Sequence, residues 1–220
     1  MRLVLASNNA KKLVELTALL GGLEVRLVAQ GQLGITEAEE PHATFIENAR
    51  AKARHAARAA QGAALADDSG LCVAALGGEP GVHSAIYAPT PAPTPPTAPA
   101  AVPGARETLR QAQDAANNAL LLARLASHPD AAARSAYFVS TLVALRHADD
   151  PEPLIATGRW PGTLLAAPSG EGGFGYDPLL FIPALGATVA ELAPEVKNRH
   201  SHRAQAVRAL RELLVSVWRL

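Results

Sequence analysis

The 220-residue chain carries 20 Lys and Arg against 20 Asp and Glu, is 49% apolar, and has a single cysteine, Cys72. Zero net charge gives no general attraction to nucleic acid or anionic lipid, and a lone cysteine excludes a disulfide framework or a cysteine-rich zinc module. Aromatics are only 4%, so the core must come from Ala, Leu and Val; a globule of this length buries roughly 70% of its unfolded surface. The apolar start at residues 2–6 turns polar too early for a secretory core of about 7–15 residues. No apolar run approaches the roughly 18 residues of a membrane span. The expectation is a cytoplasmic protein with one domain over residues 1–220.

Residues 2–6 read as a short buried strand, 12–20 as a helix stopped by Gly21-Gly22, and 25–29 as a second strand. This strand, polar turn, helix, strand order is α/β grammar. Thr44 and Glu47 fit a capping box that opens an Ala-rich helix over 45–60. Asn48, Lys52 and His55 share one face of it, by default a solvated stripe. Residues 63–67 and 71–74 flank Asp68-Ser69-Gly70, which reads as strand, turn, strand. From Ala88 to Pro103 the chain holds only Pro, Ala, Thr and one Val, with seven of its 17 prolines. That tract reads as a solvated insertion in one domain, partly polyproline II, whose removal should spare catalysis. A helix over 106–126 follows, then a β-branched strand over 136–145 suited to a central position. Shorter strands are expected at 154–157, 162–166 and 179–182, and a closing amphipathic helix at 201–218.

Three clusters carry chemistry. Ser7-Asn8-Asn9-Ala10-Lys11-Lys12 joins a strand to a helix; small polar residues there leave backbone N–H groups for an anion, and a lysine one turn in reaches a phosphate. Glu37, Glu39, Glu40, Asp67 and Asp68 form an acidic set that suits Mg²⁺, which takes a few carboxylates and keeps other positions for water and phosphate. The third cluster is Gly170 to Asp177 with Lys197 and Ser201-His202-Arg203. Gly170, Gly172 and Gly175 match G-x-G-x-x-G, but they run into Tyr176-Asp177-Pro178 and cannot open the helix that fingerprint requires. The better reading is a loop presenting Phe174 to a flat ring. His200 and His202, two apart, diverge on a helix and make a poor metal pair.

Taken in order, Ser7-x-Asn9-x-x-Lys12-x-x-Glu15, Glu39-Glu40 before Thr44-Phe-x-Glu-Asn48-Ala, Ala66-Asp-Asp-Ser-Gly70, Gly81-x-x-Ser-Ala85, Phe174-Gly-Tyr-Asp177 and Ser201-His-Arg203 resemble the inosine/xanthosine triphosphate pyrophosphatase family. The resemblance spans the chain apart from the Pro/Ala tract. It implies hydrolysis of ITP, dITP and XTP to the monophosphate and pyrophosphate with Mg²⁺. It also implies a long mixed central sheet flanked by helices, two lobes with a substrate cleft between them, and a homodimer. By that resemblance Ser7, Asn8, Asn9, Ala10, Lys11 and Lys12 would hold the triphosphate. Glu39 and Asp68 would bind the metal, and Asp68 would take the proton of the attacking water, with Glu40 and Asp67 near-equal candidates. Ser69 would touch substrate, and Phe174 would stack on the base in a pocket shaped by Gly175, Tyr176 and Asp177. Lys197, His202 and Arg203 would read the base, with Asn48 and Lys52 supporting the phosphate side. Ile86 stands where the family has Arg; either a nearby basic residue such as Arg106 takes that place, or affinity and subunit packing differ. A sister pyrophosphatase for other modified nucleotides, or a nucleotide-binding scaffold that has lost catalysis, are the competing readings.

Overall fold

The computed structural model describes residues 1–89, 105–128, 130 and 133–220. Most of the Pro/Ala tract lies outside these residues, as does the Arg106 side chain. Seven strands form one mixed sheet: β1 (Arg2–Leu5), β2 (Arg26–Ala29), β3 (Ala64–Val73), β4 (Ser135–Leu145), β5 (Leu154–Leu164), β6 (Leu180–Ile182) and β7 (Ala187–Thr188). Their order is β2-β1-β3-β4-β5-β6-β7, so the β-branched strand is central as its composition suggests. β1 runs parallel to β2 and to β3, whereas β5, β6 and β7 pair antiparallel. Five α-helices accompany them among the described residues: α1 (Ala10–Leu19), α2 (Phe45–Ala60), α3 (Ala105–Arg124), α4 (Pro194–His200) and α5 (His202–Ser216). Among the described residues no helix is long and apolar enough to cross a membrane.

Two compact units are formed. Unit 1 holds residues 1–69, 139–160 and 194–220; unit 2 holds 70–138 and 161–193. In unit 1 the alternation of strand side chains builds two cores. Leu3, Leu5, Leu65 and Leu142 pack with Leu16 of α1 and Leu210 and Leu214 of α5. The intervening residues Val4, Ala64, Ala66 and Val143 pack instead with Ala49, Ala53, Ala56 and Ala57 of α2. Methyl-sized side chains let α2 lie close on its face. In unit 2 the buried Asn117 of α3 accepts the Ala88 N–H at 2.8 Å and donates to the Ser84 and Ala85 carbonyls at 3.2 and 3.1 Å. Ser84 in turn accepts the Leu71 N–H at 2.9 Å. The Gly81-x-x-Ser-Ala85 motif is therefore a buried hydrogen-bond hub.

Several sequence expectations are corrected. Residues 63–74 are one strand, not strand, turn, strand: Asp68-Ser69-Gly70 continues β3, whose residues other than Ser69 are buried. Local turn chemistry yields because both aspartates find cations from distant elements, as described below. Residues 154–166 likewise give a single strand, β5, ending at Leu164. The capping box is half formed: Thr44 Oγ1 accepts the Glu47 N–H, but the Glu47 carboxylate takes the Thr44 hydroxyl proton at 2.6 Å. The stripe on α2 is not solvated, since Asn48 and Lys52 are buried. Helix α4 and strand β7 were not expected. Ile86 is 66% exposed. Beside it, Arg124 of α3 lies over the Tyr87 ring at 6.0 Å and pairs with Glu79 at 3.1 Å.

Candidate active site

At the edge of β1 the chain turns through Ser7-Asn8-Asn9 into α1. Asn9 caps the helix: its Oδ1 accepts the N–H groups of Lys11 and Lys12 at 3.0 and 3.2 Å, and its own N–H donates to Ser7 Oγ. Two of the backbone donors expected to be free for an anion are thus already engaged. Asn8 donates to Glu37 Oε1 at 3.0 Å, tying this turn to the acidic loop. Lys11 is exposed. Lys12 instead reaches β3, with Nζ 3.1 Å from Asp67 Oδ2 and 3.4 Å from the Asp67 carbonyl. Burial lowers its pKa, an effect only partly offset by Asp67.

Asp67 and Asp68, consecutive on β3, face opposite sides, as alternation requires. Asp67 is 1% exposed and fully partnered. Oδ1 accepts the Ser140 hydroxyl of β4 at 2.8 Å; Oδ2 meets Lys12, the Ser69 hydroxyl at 3.3 Å and Arg203 Nε at 3.0 Å. Burial alone would raise its pKa; the Lys12 and Arg203 charges and the Ser140 hydroxyl override this and hold the carboxyl well below its usual range. Arg203 of α5, 1% exposed, spends all three guanidinium nitrogens locally: Nε on Asp67, Nη1 on Glu15 of α1, and Nη2 on Ser69 Oγ at 3.1 Å. Glu15 also lies 3.5 Å from Lys197 Nζ of α4. His202, beside Arg203, is held neutral by burial and by the neighbouring Arg203 charge, with its pKa well below the imidazole norm.

Asp68 meets a different environment. Oδ1 accepts Lys52 Nζ of α2 at 2.7 Å, and the same ammonium donates to Glu40 Oε2 at 2.8 Å. Oδ2 is buried and has no hydrogen-bond partner among the described residues. Burial pushes the Asp68 carboxyl up to about 6, against the pull of Lys52. Glu40 moves the opposite way: burial would raise it, but Lys52 lowers it. The α2 stripe is what places Glu40. Asn48 exchanges hydrogen bonds with the His42 backbone at 3.0 and 3.2 Å, and His55 Nε2 lies 2.9 Å from the Thr36 carbonyl. Three side chains on one helical face thereby fasten the acidic loop; their spacing marks them as a set in the sequence, but does not show that the face is covered. Glu39, the next residue, is exposed.

Asp68 and Glu40 fit a divalent cation. Hard carboxylate oxygens converge on one ammonium, and one buried oxygen is unsatisfied. No group of three or more His, Cys, Asp or Glu side chains among the described residues could hold a metal. An ion here would therefore take its remaining oxygens from water and substrate, the usual arrangement for Mg²⁺.

In unit 2, Phe174 is half-buried in the loop before β6, while Tyr176 and Asp177 are buried. Asp177 Oδ2 accepts the Phe174 N–H at 2.9 Å, and the Tyr176 hydroxyl donates to the Ser84 carbonyl at 2.9 Å. Gly175 adopts φ +62°, which favours glycine.

A sequence profile of the Ham1 family matches residues 3–213. A dITP/XTP pyrophosphatase of Methylibium petroleiphilum is 62% identical over 99% of both chains, and one of Leptothrix cholodnii 63% over 100% of both. The solved structure of a HAM1 protein from Coxiella burnetii superposes with a TM-score of 0.82 at 38% identity, covering 99% of this chain and 100% of that one.

Proposed function

The chain belongs to the Ham1 family, and from that premise we infer that it hydrolyses deaminated purine nucleoside triphosphates, dITP and XTP among them, to the monophosphate and pyrophosphate. The observation that carries the chemical assignment is the unequal treatment of two neighbouring carboxylates. Asp67 has every oxygen committed to cations and hydroxyls. Asp68 has a buried oxygen with no hydrogen-bond partner among the described residues. A proton acceptor needs an open lone pair and a pKa not far below neutral, and Asp68 supplies both.

On this reading Asp68 accepts the proton of a water that attacks the α-phosphorus. The bond between that phosphorus and the αβ-bridging oxygen breaks, and pyrophosphate leaves. Asp68 and Glu40 would hold Mg²⁺, with the exposed Glu39 as the alternative partner. Bound there, the ion would neutralise phosphate charge and acidify water. Lys52, already between the two acids, supplies positive charge on the same side. Ser7 to Lys12 form the phosphate-facing turn; Lys12 is drawn onto Asp67, and Lys11 is the exposed cation of the turn. Phe174 stacks on the base, with Gly175, Tyr176 and Asp177 fixing its loop. Lys197, His202 and Arg203 favour a keto oxygen over an amino group, since an unmatched buried donor discriminates by about 10⁴-fold. Each Arg203 nitrogen already holds Asp67, Glu15 or Ser69, so only its remaining Nη–H groups would serve the base.

The family match runs through both units, which supports one pyrophosphatase domain. The homodimer implied by the resemblance is testable by sedimentation. The deciding experiment for the mechanism is Asp68→Asn: pyrophosphate release from dITP should fall by at least about 10³-fold, within the range that removing a key catalytic group costs. Near-normal turnover would remove Asp68 from the reaction.

A further inference from the structure

The loop that bears Phe174 lies outside every helix and strand, yet side chains from α3 grip its backbone from both sides. The Gly175 N–H donates to Asp114 Oδ2 at 2.8 Å, and the Gly175 carbonyl accepts Asn118 Nδ2 at 2.9 Å. Asp114 and Asn118 are four apart on α3 and so share one face. All of these residues belong to unit 2.

The Gly175 N–H and carbonyl belong to the two peptide planes on either side of its Cα, so holding both fixes the backbone at Gly175, and the first of those planes, shared with the Phe174 carbonyl, restricts the aim of the Phe174 side chain. The residue gripped is the one with φ +62°, where the chain turns. Neighbouring contacts complete the hold: Phe174 donates its N–H to Asp177 Oδ2, and the Asp177 N–H returns to the Phe174 carbonyl at 3.3 Å. Asn118 Oδ1 is buried without a hydrogen-bond partner among the described residues. An unmet buried acceptor costs free energy, so this amide is kept for what its other end does.

We propose that Asp114 and Asn118 are positioning residues for the nucleobase, acting through Gly175 to aim the Phe174 ring. The proposal rests on the reading of Phe174 as the base platform. Its consequence is selective: base affinity should suffer while the phosphate-facing residues of unit 1 are untouched.

The test compares steady-state kinetics on dITP with competitive inhibition by inorganic tripolyphosphate, which has no base. Asn118→Ala and Asp114→Ala should each raise KM for dITP about fivefold or more, the scale of one lost hydrogen bond, with kcat within about twofold. Tripolyphosphate inhibition should stay at the wild-type value. Asp114→Asn keeps an oxygen that can accept the Gly175 N–H and should restore most of the wild-type KM. An unchanged KM in the alanine variants would overturn the proposal. So would tripolyphosphate binding that weakens in step, an Asp114→Asn variant as impaired as Asp114→Ala, or melting losses large enough to explain the kinetics. Phe174→Ala separates the two layers: an unchanged KM there would refute the platform reading itself, and the proposal with it.

Discussion

Asp67 and Asp68 have the same side chain and adjacent positions on β3, and their surroundings divide the labour. Asp67 neutralises the half-buried Lys12 and, with Glu15, the buried Arg203, so Asp67→Asn should strip Lys12 of this ion pair, leave Arg203 with Glu15 alone, and cost about 3 kcal/mol or more in chemical denaturation. Asp68→Asn should leave stability nearly unchanged while removing turnover, because the carboxylate it replaces is already disfavoured by burial. His202 makes a separate pH prediction. The unfolded imidazole takes a proton near pH 6.5, whereas the folded one refuses it because of burial and the Arg203 charge. The unfolded state therefore binds more protons, and stability present above about pH 6.5 is lost as pH falls below it. His202→Gln should flatten the melting temperature between about pH 7 and 5; a slope equal to wild type would show that His202 is not the group responsible.

At the scale of elements, α5 matters because its first turn delivers His202 and Arg203, and β5 sets how close that turn can come. Gly158 of β5 faces it: a Cβ there would lie 2.1 Å from the His202 carbonyl and 2.5 Å from the Ala206 N–H. Gly158→Ala should therefore destabilise by about 1–3 kcal/mol and displace Arg203 from Asp67, seen as a lower melting temperature with reduced turnover. Gly158 also shows why β5 was misread as two short strands. A glycine and Pro161 look like punctuation in the sequence, and for Gly158 only the helix packed against it explains a glycine within a strand. The same holds for Asp68-Ser69-Gly70, where every local signal favours a turn. The cations that keep it extended come from residues 12, 52 and 203, separations that no window of sequence can see. By contrast the bounds of α2 were legible, because its Thr44 cap and its alanine face are local features, whereas the burial of Asn48 and Lys52 was not.

For the whole molecule, the α/β class and the central strand were readable from order and composition, and the mixed sheet from the family resemblance. The motifs were readable as well. What stayed hidden was their internal traffic: that Arg203 clamps Asp67, that Lys52 bridges Glu40 and Asp68, and that α3 grips the loop of Phe174. These are contacts between charges or backbone groups far apart in the chain, and their pairing is decided by the packed fold.

The central claim is that acids from β3 and from the loop before α2 serve a metal-assisted attack on a deaminated purine triphosphate. It is tested most directly by product analysis across dITP, XTP, dGTP, dATP and dTTP, with and without Mg²⁺. The account predicts monophosphate and pyrophosphate from dITP and XTP only when the ion is present, with dATP and dTTP turned over far more slowly. Release of orthophosphate in place of pyrophosphate, turnover that ignores Mg²⁺, or a preference for dTTP over dITP would contradict it.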